Sequence, residues 1–213
     1  MEHPAVATSV VMLVEGLCFR YPQRALFTDW STRISPGVTL VRGGDGSGKT
    51  TLLRLIAGAL PADAGHLWVH GVCLKEQPIT YRQQVFWADP RSDDSDQITP
   101  ADYFKGLHRL YPLFDEQLLS GLVVPLSLAP HLDKPLYMLS TGSKRKVWLA
   151  AAFASGAALT LVDEPFAALD KASILAVKGL LQDAANHPAR AWVIADYEAP
   201  GDVALAAIIE LAQ

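Results

Sequence analysis

Short apolar runs alternate with stretches of helical spacing along most of the chain. Apolar runs bounded by turn residues predict strands, whereas apolar residues that recur every three or four positions predict helices. The predicted strands are residues 12–19, 27–34, 38–41, 66–71, 84–88, 158–162, 191–195 and 207–211. The predicted helices are residues 49–59, 100–111, 115–123, 144–155 and 171–185. This alternation predicts an α/β fold with a mostly parallel sheet flanked by helices.

The pattern also predicts how the chain is divided. The first two strands are expected to form an N-terminal antiparallel β edge, and the helices between about residues 90 and 156 are expected to form a helical subdomain. Residues 1–11 have no periodic pattern and predict a loose extension. We therefore expect a single domain over residues 12–213.

A glycine-dense turn joins the strand at 38–41 to the helix that begins at Lys49. Gly43, Gly48, Lys49 and Thr50 match the phosphate-loop pattern G-x-x-x-x-G-K-[ST], and the strand and helix around them are the context that this motif requires. Glycines allow the backbone N–H groups and the positive helix end to surround an anion. The pattern predicts a P-loop NTPase, and a glycine-rich surface turn is the alternative. The expected nucleotide-binding residues are Gly43, Gly44, Asp45, Gly46, Ser47, Gly48, Lys49, Thr50 and Thr51.

Two carboxylates follow the apolar run 158–162. Asp163 at the end of a buried parallel strand is expected to bind Mg²⁺ together with the Thr50 hydroxyl, while Lys49 reaches the β- and γ-phosphates of the nucleotide. Glu164 is then placed to orient and deprotonate an attacking water. The alternative for such an acidic pair is a helix N-cap after a strand.

Composition excludes several classes of protein. The 213 residues carry a net charge of −4, so the chain has no basic excess with which to bind nucleic acid. Cys18 and Cys73 lack metal-ligand spacing and are expected to be reduced strand residues, as in a cytoplasmic protein. The start lacks the basic segment of a signal peptide, and the longest uncharged run, 147–162, is too short for a membrane span.

Four segments in a fixed order resemble the ATP-binding subunits of ABC transporters. These are the phosphate loop, residues 139–143 (Leu-Ser-Thr-Gly-Ser), residues 161–165 (Leu-Val-Asp-Glu-Pro) and residues 168–170 (Ala-Leu-Asp). The resemblance extends from Met12 to Leu211. The short length and the segment 163–170 are most similar to compact bacterial exporter ATPases, such as haem- or drug-exporter subunits.

The resemblance implies a function, cofactors and partners. It implies hydrolysis of ATP with Mg²⁺, head-to-tail pairing with a second ATP-binding subunit, and transmembrane permease subunits at the inner face of the cell membrane. Ser140 and Gly142 would contact the γ-phosphate bound by the second subunit, and Asp170 would lie at the same interface. Tyr21 would stack on adenine, although an aromatic residue after a first strand also caps a core.

The sequence departs from the family pattern at three places. The family usually has glutamine after the strand at 84–88, where this chain has Ala88 and Asp89. It usually has histidine where this chain has Tyr197, so Tyr197 is the candidate for that catalytic position, with a phenol that hydrogen-bonds phosphate but carries no positive charge near neutral pH. Thr141 and Ser143 replace commoner signature residues.

Three functions are consistent with these observations. The first is an ATP-hydrolysing motor subunit of a membrane exporter. The second is a subunit that binds ATP but hydrolyses it weakly and pairs with a more active partner, as the missing glutamine and histidine suggest. The third is a soluble P-loop kinase or regulatory NTPase.

Overall fold

The computed structural model describes residues 10–89 and 92–211. Within these residues the strands are β1 (Met12–Tyr21), β2 (Arg24–Ile34), β3 (Gly37–Arg42), β4 (Ala64–Val69), β5 (Val72–Cys73), β6 (Val85–Trp87), β7 (Leu159–Asp163), β8 (Ala191–Asp196) and β9 (Ala207–Glu210). The α-helices are α1 (Lys49–Ile56), α2 (Pro78–Gln83), α3 (Pro100–Leu110), α4 (Glu116–Leu122), α5 (Thr141–Ala154) and α6 (Lys171–Ala185). Short 3₁₀ turns occupy Ala129–His131 and Leu136–Met138.

The parallel strands form a sheet in the order β6-β7-β8-β3-β9. In this sheet β3 pairs with β8 through Leu40 and Ile194, and β7 pairs with β8 through Val162 and the same isoleucine. Because all five strands are parallel, the loops after β3, β7 and β8 leave the same edge of the sheet, where open α/β sheets bind ligands. The phosphate loop and the Asp163-Glu164 pair are therefore neighbours.

A separate antiparallel sheet has the order β2-β1-β4-β5. It packs with α1 against one face of the parallel sheet, and α5, α6 and the region of α3 and α4 cover the other face. Alternation along β3 separates the two sides, since Leu40 belongs to the cluster with α5 and α6 whereas Val41 belongs to the cluster with α1. The phosphate loop thus lies between two hydrophobic clusters.

Most predicted elements are present, with shifted ends. Helix α6 has the predicted bounds, but α1 ends at Ile56 rather than at 59, and α5 begins at Thr141 rather than at 144 because Ser140 caps it. Neither β5, with two residues, nor the largely polar α2 was predicted.

The predicted helical region contains α3, α4 and α5, which follow β6 and precede β7. Residues 1–9 of the expected extension, and residues 90 and 91 at the predicted start of the helical subdomain, lie outside the described residues. Where the structure describes the chain, its helices lack the combination of length and apolar character needed to cross a bilayer.

Candidate functional site

The phosphate loop lines an open cavity of about 280 Å³. Lys49 starts α1 and is 7% exposed, and its Nζ donates to the carbonyl oxygens of Gly43 at 2.6 Å and Gly44 at 3.1 Å. These bonds hold the ammonium group over the loop, where it attracts anions. Gly43 lies outside the lining, which besides Lys49 and Gly44 consists of Tyr21, Arg24, Leu26, Asp45, Gly46, Ser47, Gly48, Thr50, Thr51, Glu164 and Tyr197.

The loop conformation depends on its glycines. Gly48 immediately precedes α1 with a φ of 101°, which side chains rarely permit. A Cβ on Gly43 would lie 2.4 Å from Oγ of Ser47. That hydroxyl is buried and has no hydrogen-bond partner among the described residues. A cradle of backbone N–H groups with an unsatisfied buried hydroxyl fits a bound phosphate.

Thr50 and Asp163 meet across 113 positions of sequence. Oγ1 of Thr50 donates to Oδ2 of Asp163 at 2.6 Å, which joins the first turn of α1 to the end of β7. Both groups present hard oxygen ligands, and Mg²⁺ prefers one or two such ligands together with nucleotide phosphates and water. The pair therefore fits Mg²⁺.

Glu164 begins the turn after β7 in a left-handed conformation. Its φ is 47°, and its N–H donates to the carbonyl oxygen of Ala195 at 2.8 Å, which extends the pairing of β7 with β8. A positive φ is uncommon for a residue with a side chain and persists only where neighbouring contacts hold it. This conformation places Glu164 in the wall of the nucleotide cavity.

Arg145 holds the same turn and was not identified from the sequence. Its Nη1 donates to the carbonyl oxygens of Asp163 at 2.8 Å and Glu164 at 2.5 Å. The sequence contains a signal for this contact, because Lys144, Arg145 and Lys146 lie near the positive N-terminal end of a helix, where cations are unfavourable without partners.

The two lysines beside Arg145 have acidic partners. Nζ of Lys144 lies 2.6 Å from Oδ1 of Asp96, and Nζ of Lys146 lies 2.5 Å from Oδ2 of Asp170. The hydrogen bond from Lys146 is the main reason that the pKa of Asp170 lies well below its usual range, and the N–H of Ser173 adds to it. Asp170 also caps α6 through this N–H.

The segment 139–143 forms the start of α5. Ser140 is its N-cap, and its Oγ accepts a hydrogen bond from the N–H of Ser143 at 3.1 Å. A Cβ on Gly142 would lie 2.4 Å from the carbonyl oxygen of Ala168, so the start of α5 packs directly on the turn before Asp170. Ser140, Gly142 and Asp170 thus form a second group, which does not line the nucleotide cavity.

Tyr21 lies at the mouth of the nucleotide cavity. Its side chain is 42% exposed, and its hydroxyl forms a 3.2 Å hydrogen bond with Oγ1 of Thr51. The ring contacts Phe19 edge-on, with 5.0 Å between centroids. Arg24 lies nearby and donates to the carbonyl oxygen of Gly46 at 3.0 Å. An exposed aromatic face beside a phosphate loop is suited to a nucleotide base.

Tyr197 follows β8 and contacts the phosphate loop twice. Its hydroxyl donates to Oδ1 of Asp45, and Nζ of Lys49 lies 4.1 Å from the centroid of its ring. The hydrogen bond to Asp45 is the main cause that raises the pKa of Tyr197 to about 12. The neighbouring Asp196 has a raised pKa, chiefly because of burial. The phenol is therefore a neutral hydrogen-bond donor at physiological pH.

Ala88 and Asp89, which follow β6, lie outside the lining of the nucleotide cavity. Ala88 lines a small cavity of about 30 Å³ beside Arg145 and Asp163, and Oδ2 of Asp89 lies 3.8 Å from Nε of Arg54.

Comparison with known proteins gives the family of this chain. The ABC transporter family model matches residues 27–167. The cytochrome c biogenesis ATP-binding export protein CcmA of Pseudomonas savastanoi pv. phaseolicola is 35% identical over 71% of this chain and 71% of that protein. The protein of the same name from Pseudomonas fluorescens is 30% identical over 78% of this chain and 80% of that protein.

Solved structures show the same fold. An ATP-binding subunit of an ABC transporter superposes with a TM-score of 0.78 at 23% identity, over 87% of this chain and 79% of that one. A putative ABC transporter ATP-binding protein from Pyrococcus furiosus superposes with a TM-score of 0.74 at 22% identity, over 94% of this chain and 96% of that chain. With the family model and the curated relatives, these observations show that the chain belongs to the ABC transporter family, as an ATP-binding subunit with the family's ATPase activity.

Proposed function

We propose that this chain is the Mg²⁺-dependent ATP-hydrolysing motor subunit of a bacterial membrane exporter. The observation that carries the proposal is the hydrogen bond between Asp163 and Thr50, because Thr50 lines the phosphate-loop cavity together with Glu164. A metal site, a base and a phosphate cradle are parts that phosphoryl transfer to water requires.

Each group has a role that follows from its position. The loop from Gly43 to Thr51 binds the phosphates, and Lys49 neutralises charge on the β- and γ-phosphates. Thr50 and Asp163 hold Mg²⁺, which supplies Lewis-acid stabilisation of the phosphate charge when bound. Glu164 orients the attacking water and accepts its proton.

The second group of residues points to a dimer. Ser140 and Gly142 lie at the start of α5, which packs on the turn before Asp170, and none of the three lines the nucleotide cavity of its own chain. We propose that they complete the cavity of a second ATP-binding subunit in a head-to-tail pair, with the positive end of α5 directed at the γ-phosphate. ATP binding closes this pair, and hydrolysis opens it.

The partners and location follow from the function. We propose that residues 12–213 form one ATP-binding domain, with a helical subdomain over about residues 90–156, which attaches to transmembrane permease subunits at the inner face of the cell membrane. The export direction is supported by the names of the two Pseudomonas relatives, which are export proteins. Family membership favours this function over a soluble kinase or regulatory NTPase.

A second candidate is a subunit that binds ATP but hydrolyses it weakly. It is favoured by Tyr197, whose hydroxyl is engaged by Asp45, and by Ala88 and Asp89, which lie away from the cavity lining. In this case a more active partner subunit would supply most of the hydrolysis.

The test is steady-state phosphate release from ATP with Mg²⁺, with Glu164→Gln as the matched blank. The motor function predicts turnover that disappears in Glu164→Gln, while that variant still binds ATP and accumulates as a dimer. Lys49→Ala should abolish or strongly weaken ATP binding, and unchanged affinity would contradict the phosphate-loop assignment. ATP binding without turnover by the purified chain would favour the second candidate.

Tyr197→His separates the two candidates further. A histidine in this position adds an N–H donor that can also take up a positive charge near the terminal phosphate, so the second candidate predicts a higher turnover number in this variant. Unchanged or lower turnover would show that the tyrosine does not limit hydrolysis.

A further inference from the structure

The phosphate loop carries a carboxylate on a surface built to attract anions. Asp45 lies in the turn between Gly44 and Gly46, in the lining of the same cavity as Lys49. Glu164 lines the cavity as well, and Asp196 lies near it, next to Tyr197. The terminal phosphate of a nucleotide therefore meets a wall with several negative charges, which repel it unless they are oriented away or compensated.

Tyr197 contacts both charged groups of the loop. Its hydroxyl donates to Oδ1 of Asp45, and its ring lies beneath Nζ of Lys49 at 4.1 Å. A phenol has one O–H, so the proton given to Asp45 is not available to a phosphate oxygen. The N–H of Tyr197 donates to Oδ1 of Asp196 at 2.7 Å, which fixes the turn that presents the ring.

We propose that Tyr197 is a positioning residue that acts through Asp45 and Lys49 and makes the site select the triphosphate over the diphosphate. The hydroxyl holds the carboxylate of Asp45 in one orientation, and the ring holds the ammonium of Lys49 over the loop. This inference rests on the proposed nucleotide site and deepens it, because it names the groups that set the preference for ATP.

The charges of Asp45 and Lys49 set the direction of the effect. Without the hydroxyl, the carboxylate of Asp45 is released and is attracted to the ammonium of Lys49, which it then shares with the nucleotide. ATP carries more negative charge than ADP, and its additional phosphate lies nearest to Glu164 and the water that Glu164 activates. ATP affinity should therefore fall more than ADP affinity, and the difference should shrink as salt increases.

The experiment is a double-mutant cycle that measures the Kd of ATP and ADP, each with Mg²⁺, by calorimetry. In Tyr197→Phe the ring stays and the hydroxyl is lost, so we expect ATP to bind about tenfold more weakly and ADP to change by less than about twofold. In Asp45→Asn the carboxylate is replaced by a neutral amide, so this variant is the second background of the cycle, in which the hydroxyl has no charge to orient. Adding Tyr197→Phe to Asp45→Asn should then change ATP affinity by less than about twofold.

Two results would overturn the proposal. One is an equal loss of ATP and ADP affinity in Tyr197→Phe, which a merely structural tyrosine would produce. The other is the same loss of ATP affinity with and without Asp45→Asn, which would mean that the hydroxyl acts independently of Asp45. Failure of the proposed function looks different, because the wild-type chain itself would then bind no ATP, or bind ATP without turnover.

Discussion

Nη1 of Arg145 lies 2.5 Å from the carbonyl oxygen of Glu164, so a cation on α5 holds the peptide of the proposed base. Glu164 has a φ of 47°, and such a conformation requires support from its surroundings. The contact also joins the start of α5, which carries Ser140 and Gly142, to the end of the strand that carries Asp163. One side chain thus connects the two groups of proposed ATP-binding residues.

Replacing Arg145 should impair hydrolysis more than binding. Arg145→Lys keeps the charge but loses the two-carbonyl geometry, so we expect the turnover number to fall by about tenfold to a hundredfold because the base is displaced. The Kd of ATP should stay within about twofold, since the phosphate loop is untouched. Phosphate release and calorimetry measure the two quantities. Arg109→Lys, at an exposed position of α3, is the matched control, and equal loss in both variants would refute a specific role.

The Thr50 hydroxyl should set the requirement for metal. Thr50→Val removes the donor to Asp163 and one proposed Mg²⁺ ligand while keeping the shape of the side chain. We expect the Mg²⁺ concentration for half-maximal phosphate release to rise by about tenfold or more, and chelation of Mg²⁺ to stop hydrolysis in the wild type. Titration of activity with Mg²⁺ checks this. An unchanged Mg²⁺ requirement in Thr50→Val would exclude the threonine as a ligand.

Gly142 tolerates no side chain where it lies. In Gly142→Ala the new Cβ would meet the carbonyl oxygen of Ala168 at 2.4 Å, so the turn before Asp170 must move. We expect a loss of about 1–3 kcal/mol in the free energy of unfolding and a strong loss of ATP-dependent dimerisation. Gly106→Ala in α3 is the control, because nothing lies within 4 Å of its Cβ. That change should stabilise the chain by up to about 1 kcal/mol, and a similar result for Gly142→Ala would contradict the packing.

Two hypotheses for the role of the Tyr21 ring can be separated with one pair of variants. If its ring stacks on adenine, Tyr21→Ala should raise the Kd of ATP by about tenfold, whereas Tyr21→Phe should change it by less than about twofold. If the ring only covers the core beside Phe19, Tyr21→Ala should lower the melting temperature and leave the Kd unchanged. Calorimetry and thermal unfolding of the two variants decide between these outcomes.

The ion pair of Lys146 and Asp170 should make stability depend on pH in the acidic range. The folded state holds the pKa of Asp170 below its unfolded value of about 4, so the pair contributes fully above that pH and loses its contribution as the pH falls further. In Lys146→Met the loss of unfolding free energy between pH 6 and pH 3 should be smaller than in the wild type. Urea denaturation at both pH values measures it. Lys75→Met, beside the antiparallel sheet, should leave the pH dependence unchanged.

The sequence predicts the elements of this protein better than their contacts. The phosphate loop could be predicted because it is a local motif. The bounds of α6 could be predicted because its helical apolar spacing begins and stops at the ends of the helix. The strand β5 could not be predicted because two residues have no periodicity. The predicted start of α5 is three residues too late because Thr141 to Ser143 are not apolar.

The side-chain contacts of the site could not be predicted from the sequence for a different reason. Asp45 and Tyr197 lie 152 positions apart, and their hydrogen bond exists only because β3 and β8 are neighbours in the sheet. Arg145 could have been suspected from the three cations near the start of α5, but the carbonyl groups that it binds have no signature in a sequence. Side chains that act on backbone atoms are therefore the part of such a site that requires a structure.

The parallel sheet separates two hydrophobic clusters whose buried members do not overlap: one contains α1 and the antiparallel sheet, the other α5, α6 and the helices before them. A substitution among the buried residues of α3 and α4 changes only the second cluster and leaves the buried side chains of α1 in the first. The helices α3 and α4 can therefore diverge between relatives while the packing of α1 behind the phosphate loop stays constant. For protein engineering, the same separation makes residues 99–138 a segment to exchange between relatives, with the phosphate loop and the segment 139–143 retained.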